Sequence, residues 1–359
     1  MKQILCLSHT SWQAQPTRTQ QLMTRLADAQ ILFIEPAPSR GDPKPEQGRR
    51  MRSHIPVYTL PAPLPAGPVR TFSQRRSLNK NVAFLEEILR KNHFRNPVLW
   101  CTAPDQMALV GRIPCRGVVY DCDQEWPEKY LDLESELTDR ADVVFAVSPG
   151  LVKRLSPCSD NIALLPNGVN PLLFERGEFS PPDRLAALDG HVVLGRVGDV
   201  TSQTDLKPLL AAATAQKGWV FLLMGRINRQ VKERLSRYRN IVPLGPVNAV
   251  ELPDFLSVCS VLFELEEEDR RGCDILPPHI YEYMASGKPI VMMAQPDYVE
   301  PFPDVIYTAY DHTGFLRRCK KALEEDASVV HNRRACAGQC AWAVRADEVT
   351  RILESTGLF

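Results

Sequence analysis

The sequence predicts an α/β protein built from two Rossmann-like, doubly wound domains facing a cleft. Three observations lead there. Short apolar runs alternate with stretches of helical periodicity along most of the chain, the pattern of a parallel sheet covered on both faces. The alternation pauses at Glu175–Gly190, rich in proline, glycine and charge, and then restarts. The length, 359 residues, suits two ordinary domains.

In order, "QILCLS" reads as a strand, "TRTQQLMTRLADA" as an amphipathic helix and "QILFIEP" as a second strand. Residues Pro36 to Val69 read as a long loop. "NKNVAFLEEILRKN" is a helix, "PVLWCTA" and "RGVVYDCD" are strands, and "KYLDLESELTDRA" is a helix. "DVVFAVS", "PGLVKRLS" and "NIALLPNGV" follow as strand, short helix and strand. Asn167-Gly168 is a turn signal at the exit. After the pause come strand "HVVLGRVGD", helix "TDLKPLLAAATAQ", strand "WVFLLMG", helix "NRQVKERLSRY", strand "NIVPLG", helix "AVELPDFLSVC" and strand "SVLFELE". "KPIVMMA" is a last strand, and residues 331–355 read as one long helix. The expected division is 1–174, a linker at 175–190, 191–335, and a terminal helix at 336–359 that returns to the first domain. Ligands of such sheets bind beyond the carboxyl ends of the strands.

Composition narrows the function. Lys plus Arg equals Asp plus Glu, 43 of each, so no overall field recruits nucleic acid. Locally, twelve Lys/Arg stand against four acids between Arg40 and Arg95, a segment suited to peripheral contact with an anionic membrane surface. No apolar run approaches the roughly 20 residues of a spanning helix, and "MKQILCLSHTSWQ" has too short an apolar core for a signal peptide. A cytoplasmic protein is expected, at most touching the inner face of the membrane. The ten cysteines form no CxxC pair and read as reduced thiols. No histidine spacing suggests a zinc site.

The most legible stretch is "DILPPHIYEYMASGKPIV", Asp274–Val291. Proline is tolerated in the first helical turn. Gly287 followed by Lys288-Pro289 is a stop. A short helix over Pro278–Ser286 results, its positive end facing the loop that carries Asp274. Such an end suits a diphosphate, and Glu282, one turn in, suits the hydroxyls of a ribose. A buried connecting helix with two solvated acids fits the spacing equally well.

This stretch resembles the C-terminal signature of the retaining family 4 glycosyltransferases, which have the glycosyltransferase B fold. "ELTDRADVVFAVSPGLVKRL", "NIALLPNGVNPLLF", "VVLGRVGD", "WVFLLMG", "NIVPLGPVNAVELPDFLSVCSVLF" and "ACAGQCAWAVRADEVTRIL" are similar to other parts of that family, in the same order. "SWQAQPTRTQQLMTRLA" resembles the opening of its teichuronic-acid-type subgroup. The resemblance implies a nucleoside-diphosphate-sugar donor as substrate and a glycan or lipid-linked acceptor, with no resident cofactor or metal. It implies donor contacts from Gly198, Asp199, Arg226, Val247, His279, Ile280 and Glu282. Asp274 takes the first acid position of the family's E-x7-E motif, with aspartate in place of glutamate. His279 stands where a permanently basic residue is common. The Arg/Lys pair usual after the first strand of the second domain is not evident: Arg196 precedes the loop, and the next cation is Lys207.

Three features of the first half bear on the acceptor. Asp121-x-Asp123 at a strand end is a pattern that holds a divalent cation in other folds, although Asp123 or Glu125 facing the acceptor fits this chain better. His9, after the first strand, is a candidate general base. Thr17 is a candidate cap for the following helix, and Arg18 reads either as a solvated arginine or as a contact for an anionic acceptor. With Asp274, Asp123 and His9 form the expected catalytic set of a glycosyltransferase. A non-catalytic binding relative and a sugar-nucleotide epimerase of the same fold are the other readings.

Overall fold

The computed structural model describes residues 2–12, 16–39, 41, 46–51, 55–268, 274–295 and 301–359. The chain divides into two compact units, Met1–Asn167 with Trp342–Phe359, and Gly168–Ala341.

The first unit holds eight strands: β1 (Lys2–Leu7), β2 (Ala29–Glu35), β3 (Arg49–Arg50), β4 (Pro56–Thr59), β5 (Val98–Cys101), β6 (Gly117–Cys122), β7 (Val143–Ala146) and β8 (Ile162–Leu164). Their order is β3-β4-β2-β1-β5-β6-β7-β8, parallel except for β3. The central strands are buried along nearly their whole length, as parallel strands covered on both faces must be. The helices are α1 (Arg18–Met23), α2 (Phe72–Lys91), α3 (Leu131–Arg140) and α4 (Pro149–Leu155), with α11 (Trp342–Ser355) arriving from the end of the chain. Trp342, Ala346, Val349 and Leu353 recur at helical spacing and join Ile4, Phe33, Trp100 and Phe145 in one core.

The second unit is a six-stranded parallel sheet of β9 (Val192–Val197), β10 (Trp219–Met224), β11 (Ile241–Pro243), β12 (Val261–Glu264), β13 (Ile290–Met293) and β14 (Tyr307–Ala309), ordered β11-β10-β9-β12-β13-β14. Its helices are α5 (Lys207–Ala215), α6 (Arg229–Leu235), α7 (Leu252–Ser257), α8 (Pro278–Ser286), α9 (His312–Leu323) and α10 (Ala327–Gln339). Leu222 and Met224 enter one core, Phe221 and Leu223 the other, the period-two alternation of a sheet with two covered faces.

Several expectations shift. Residues 36–69, expected as a loop, contain β3 and β4. The first helix ends at Met23, and α2 starts seven residues earlier than Asn79. The change of unit falls at Asn167–Gly168. Residues 175–190 pack into the second unit, where Leu185 is buried and Asp254 accepts hydrogen bonds from Arg176 and the Ser180 N–H. The single tail helix is two helices that meet at Cys340–Ala341, α10 in the second unit and α11 in the first.

Each sheet has one point where the strand order reverses. In the first unit it lies between β1 and β5, and in the second between β9 and β12. The loops leaving such a pair diverge to opposite faces and open a crevice at the carboxyl ends of the strands.

Candidate active site

In the second unit the reversal point is built from the Gly198 loop, the end of β12 and the start of α8. Gly198 has φ +114°, a region open to glycine, and a Cβ there would lie 3.2 Å from the His279 ring. Gly225 is needed for a different reason: a Cβ on it would sit 2.1 Å from the Gly198 carbonyl oxygen. The loops after β9 and β10 therefore touch backbone to backbone, and the Gly198 N–H donates to Met224 O at 2.9 Å.

Beneath this loop lies a buried charge network. Arg196, on β9, is 3% exposed. Its Nη1 donates to the carbonyls of Gly198 at 3.0 Å and Asp199 at 3.1 Å. Its Nε and Nη2 donate to Glu264 Oε1 at 3.1 and 2.8 Å. The other Glu264 oxygen pairs with His279 Nε2. Burial alone would raise the Glu264 carboxyl, but Arg196 and His279 outweigh it and hold it below the usual range. Tyr283 bolts α8 to the same strand, its hydroxyl oxygen accepting from the Val197 N–H at 2.6 Å.

The helix forms over Pro278–Ser286, with Pro277 at its N-cap and Gly287 at φ +77° closing it. Its open end differs from the expectation. Pro278 brings no N–H, and the Ile280 N–H donates to Pro277 O at 3.0 Å. The His279 N–H has no acceptor among the described residues. The Ile280 side chain is fully buried in the core and its N–H is already spent on Pro277 O, so its expected donor contact is not supported. Glu282, half-buried, makes no hydrogen bond or ion pair among the described residues. Desolvation pushes its pKa to about 7, against the opposing pull of His279.

Arg226, expected to neutralise phosphate, is committed to Asp199. Its N–H and Nε donate to the two carboxylate oxygens at 2.9 Å each, and Nη2 lies 2.7 Å away. Val247 is half-buried against the core. Asp274 is half-buried beside residues 269–273, which lie outside the described residues.

In the first unit the reversal point brings His9, after β1, to Thr102, after β5. The Thr102 hydroxyl donates to Leu7 O at 3.1 Å and accepts from the His9 N–H at 2.9 Å. His9 Nδ1 lies 3.0 Å from the same oxygen. The hydroxyl proton being spent on Leu7, the hydrogen-bond pattern assigns Nδ1 as the donor, which leaves a lone pair on Nε2 of the neutral ring. The edge of Trp126 meets the His9 ring at 5.7 Å between centroids. Among the described residues, Asp123 Oδ1 and Trp126 Nε1 are both buried without a hydrogen-bond partner. Burial raises the Asp123 carboxyl, as does Asp121, while His9 and Arg18 pull it down. Burial also raises Asp105, again with His9 opposing.

One candidate role falls here. Arg18 does not wait for an anion. It is buried, and its Nε and Nη2 donate to Asp121 Oδ1 at 3.1 and 2.9 Å, with further bonds to Leu165 O and Asn167. Asp121 is thereby used, so Asp121 and Asp123 do not act as a matched pair. The structure brings His9 and Asp123 into one cluster and adds Asp105 and Trp126. In the second unit it adds Arg196, Glu264 and Tyr283. The signal for two of these was present: an arginine and a glutamate inside otherwise apolar parallel strands imply each other as partners.

No family model matches the chain. It is 24% identical over 271 residues, 68% of each chain, to TuaH of Bacillus subtilis strain 168, named as a teichuronic acid biosynthesis glycosyltransferase. Among solved structures it is similar to sucrose-phosphate synthase from Thermosynechococcus elongatus (TM-score 0.76, 16% identity, 99% of both chains). It is also similar to an E. coli trehalose-6-phosphate protein bound with UDP-2-fluoro glucose (TM-score 0.73, 11% identity, 98% and 99% of the chains). A third is Anabaena HepE in complex with UDP and glucose (TM-score 0.66, 15% identity, 99% and 100%). These likenesses establish the fold as that of the glycosyltransferase B proteins.

Proposed function

We propose that the chain is a glycosyltransferase that takes a nucleoside-diphosphate sugar in its second unit and an acceptor hydroxyl in its first. One observation carries the reading: Glu282, a desolvated carboxylate with no hydrogen bond or ion pair among the described residues, stands one turn into α8, the helix whose first turn sets the His279 ring against a loop stripped to backbone at Gly198 and Gly225. A structural helix would gain nothing from such a carboxylate. A ribose would give it two hydroxyl donors, and the backbone loop would admit a diphosphate.

In the reaction the bond from the anomeric carbon to the diphosphate oxygen breaks and a bond to the acceptor oxygen forms. The hydroxyl proton passes to the departing nucleoside diphosphate. The His279 N–H and the positive end of α8 stabilise charge on that leaving group. Asp123, Trp126 and His9 position the acceptor, the first as hydrogen-bond acceptor and the second as donor. Retention at the anomeric carbon, kinship with family 4 and a lipid-linked acceptor follow from the motif resemblance, and a cell-envelope glycan as acceptor is supported by the likeness to TuaH, named for teichuronic acid biosynthesis.

Thermal shifts with UDP, GDP and dTDP test it. Stabilisation by at least one nucleotide, lost in Glu282→Ala while the fold persists, is expected. No shift with any of them overturns the donor site. A donor library, followed for sugar release, then identifies the sugar. Isomerised sugar nucleotide with donor alone would overturn transfer in favour of epimerisation.

A further inference from the structure

The exposed face of α2 is the feature that the donor and acceptor sites leave unexplained. Phe72, Arg75, Arg76, Asn79, Lys80 and Ala83 share that face over the first turns, Glu86, Glu87 and Arg90 continue it toward the other end, and all are exposed. The opposite face, with Leu78, Asn81, Leu85, Ile88 and Leu89, is buried. Phe72 is 82% exposed. None of Arg70, Arg75, Arg76 and Lys80 has an ion-pair partner among the described residues, and no Asp or Glu occurs between Glu46 and Glu86.

The arrangement is not there to stabilise the helix. Cations near the positive end of a helix dipole are unfavourable, and the first turn contains no acid. The helix is nonetheless firmly held. Thr71 and Gln74 form a reciprocal capping box. The buried Asn81 carboxamide bonds both the N–H and the carbonyl of Ala62, at 3.1 and 2.9 Å, and so staples the proline-rich approach to the helix. A rigid helix thus presents an exposed aromatic ring at its start, with Arg75, Arg76 and Lys80, none of them ion-paired among the described residues, on the same face. A soluble polyanion would use the cations and leave Phe72 idle. An anionic bilayer uses both: the cations meet lipid headgroups and the ring enters the interface.

We propose that this face of α2 docks the protein on an anionic membrane surface, with Phe72 as the inserted anchor. The Arg40, Lys44 and Arg52 part of the basic segment lies outside the described residues and is not needed for it. The test is co-sedimentation of the full chain with vesicles of phosphatidylcholine, alone or mixed with phosphatidylglycerol. Binding to the mixed vesicles only, weakened by salt, is the expected result. Arg75→Gln/Arg76→Gln lowers it roughly fivefold per cation removed, and Phe72→Ser lowers it about tenfold with the salt dependence kept. Lys232→Gln/Arg234→Gln, exposed cations of α6 in the second unit, leaves it unchanged. Circular dichroism checks that each variant is folded. Equal binding to neutral vesicles, no binding to either, or equal loss in the Lys232/Arg234 variant overturns the proposal. So does indifference to Phe72→Ser, which would make the face a binder of soluble polyanions.

Discussion

Glu264 and Asp123 are both carboxylates at the carboxyl end of a parallel strand, each in the neighbourhood of its sheet's reversal point, and both are deprived of water. Their surroundings differ in one respect. Glu264 is saturated: Arg196 takes one oxygen and His279 the other. Asp123 keeps a buried oxygen with no hydrogen-bond partner among the described residues. A paired buried acid shapes the site, and an unpaired one waits for a ligand. Asp121 repeats the lesson within two residues of Asp123, since Arg18 has already claimed it.

The comparison breaks first at Glu264. Glu264→Ala strands Arg196 in the core without its counter-ion, and losing one member of a buried pair costs about 3–5 kcal/mol. Urea unfolding of the variant measures it. A cost near zero would mean that the Arg196 bonds to the Gly198 and Asp199 carbonyls suffice without the acid, and that Glu264 belongs with the ligand-seeking carboxylates.

Glu282 belongs on the Asp123 side of the divide. Glu282→Gln removes the charge but keeps the shape, so stability is held or gained. Two charge-assisted hydrogen bonds to a ribose weaken, which lowers nucleotide affinity roughly a hundredfold. Isothermal titration with the nucleotide that stabilises the wild type measures the loss, and unchanged affinity would return α8 to the structural side.

The contrast between these acids was only partly legible beforehand. The bounds of α8 follow from local chemistry, because Pro277, Pro278 and Gly287 act within the chain segment they terminate. Glu282 follows from its place on that helix. Arg196 and Glu264 are 68 residues apart and meet only because β9 and β12 pair across the reversal point, a relation that no local spacing records. For the same reason the Asp-x-Asp spacing does not record that Asp121 is already taken, since Arg18 reaches it from 103 residues away. The strand β4 was hidden by its four-residue length between proline-rich flanks. The break between α10 and α11 carries no glycine or proline at the junction, so helical periodicity ran straight through it.

A smaller effect comes from pH. The Glu282 pKa of about 7 is raised in the folded chain, so the acid favours the fold when protonated. That advantage is complete below the ordinary carboxylate range and is lost as pH rises through about 7. Binding runs the other way, because the ribose hydroxyls need the carboxylate as acceptor. Nucleotide affinity therefore rises roughly tenfold between pH 6 and pH 8, following the ionised fraction. Glu282→Gln flattens the profile. A profile that stays steep in the variant would assign the titration to another group.

Asp123→Asn is the smallest change in stability and the sharpest in sign. Its carboxyl is raised by burial, so the ionised form is the costly one in the folded state. The amide removes that cost, and the variant gains about 1 kcal/mol at neutral pH. The gain fades as pH falls through the raised pKa, where the wild-type carboxyl is itself neutral. Transfer to the acceptor falls by ten- to a hundredfold, since the amide is a weaker partner for a hydroxyl, while nucleotide binding in the second unit is untouched. Thermal melts across pH, alongside transfer and nucleotide-binding assays on the same preparation, separate these outcomes. A variant that lost stability at neutral pH would show that Asp123, like Glu264, is an acid the fold depends on.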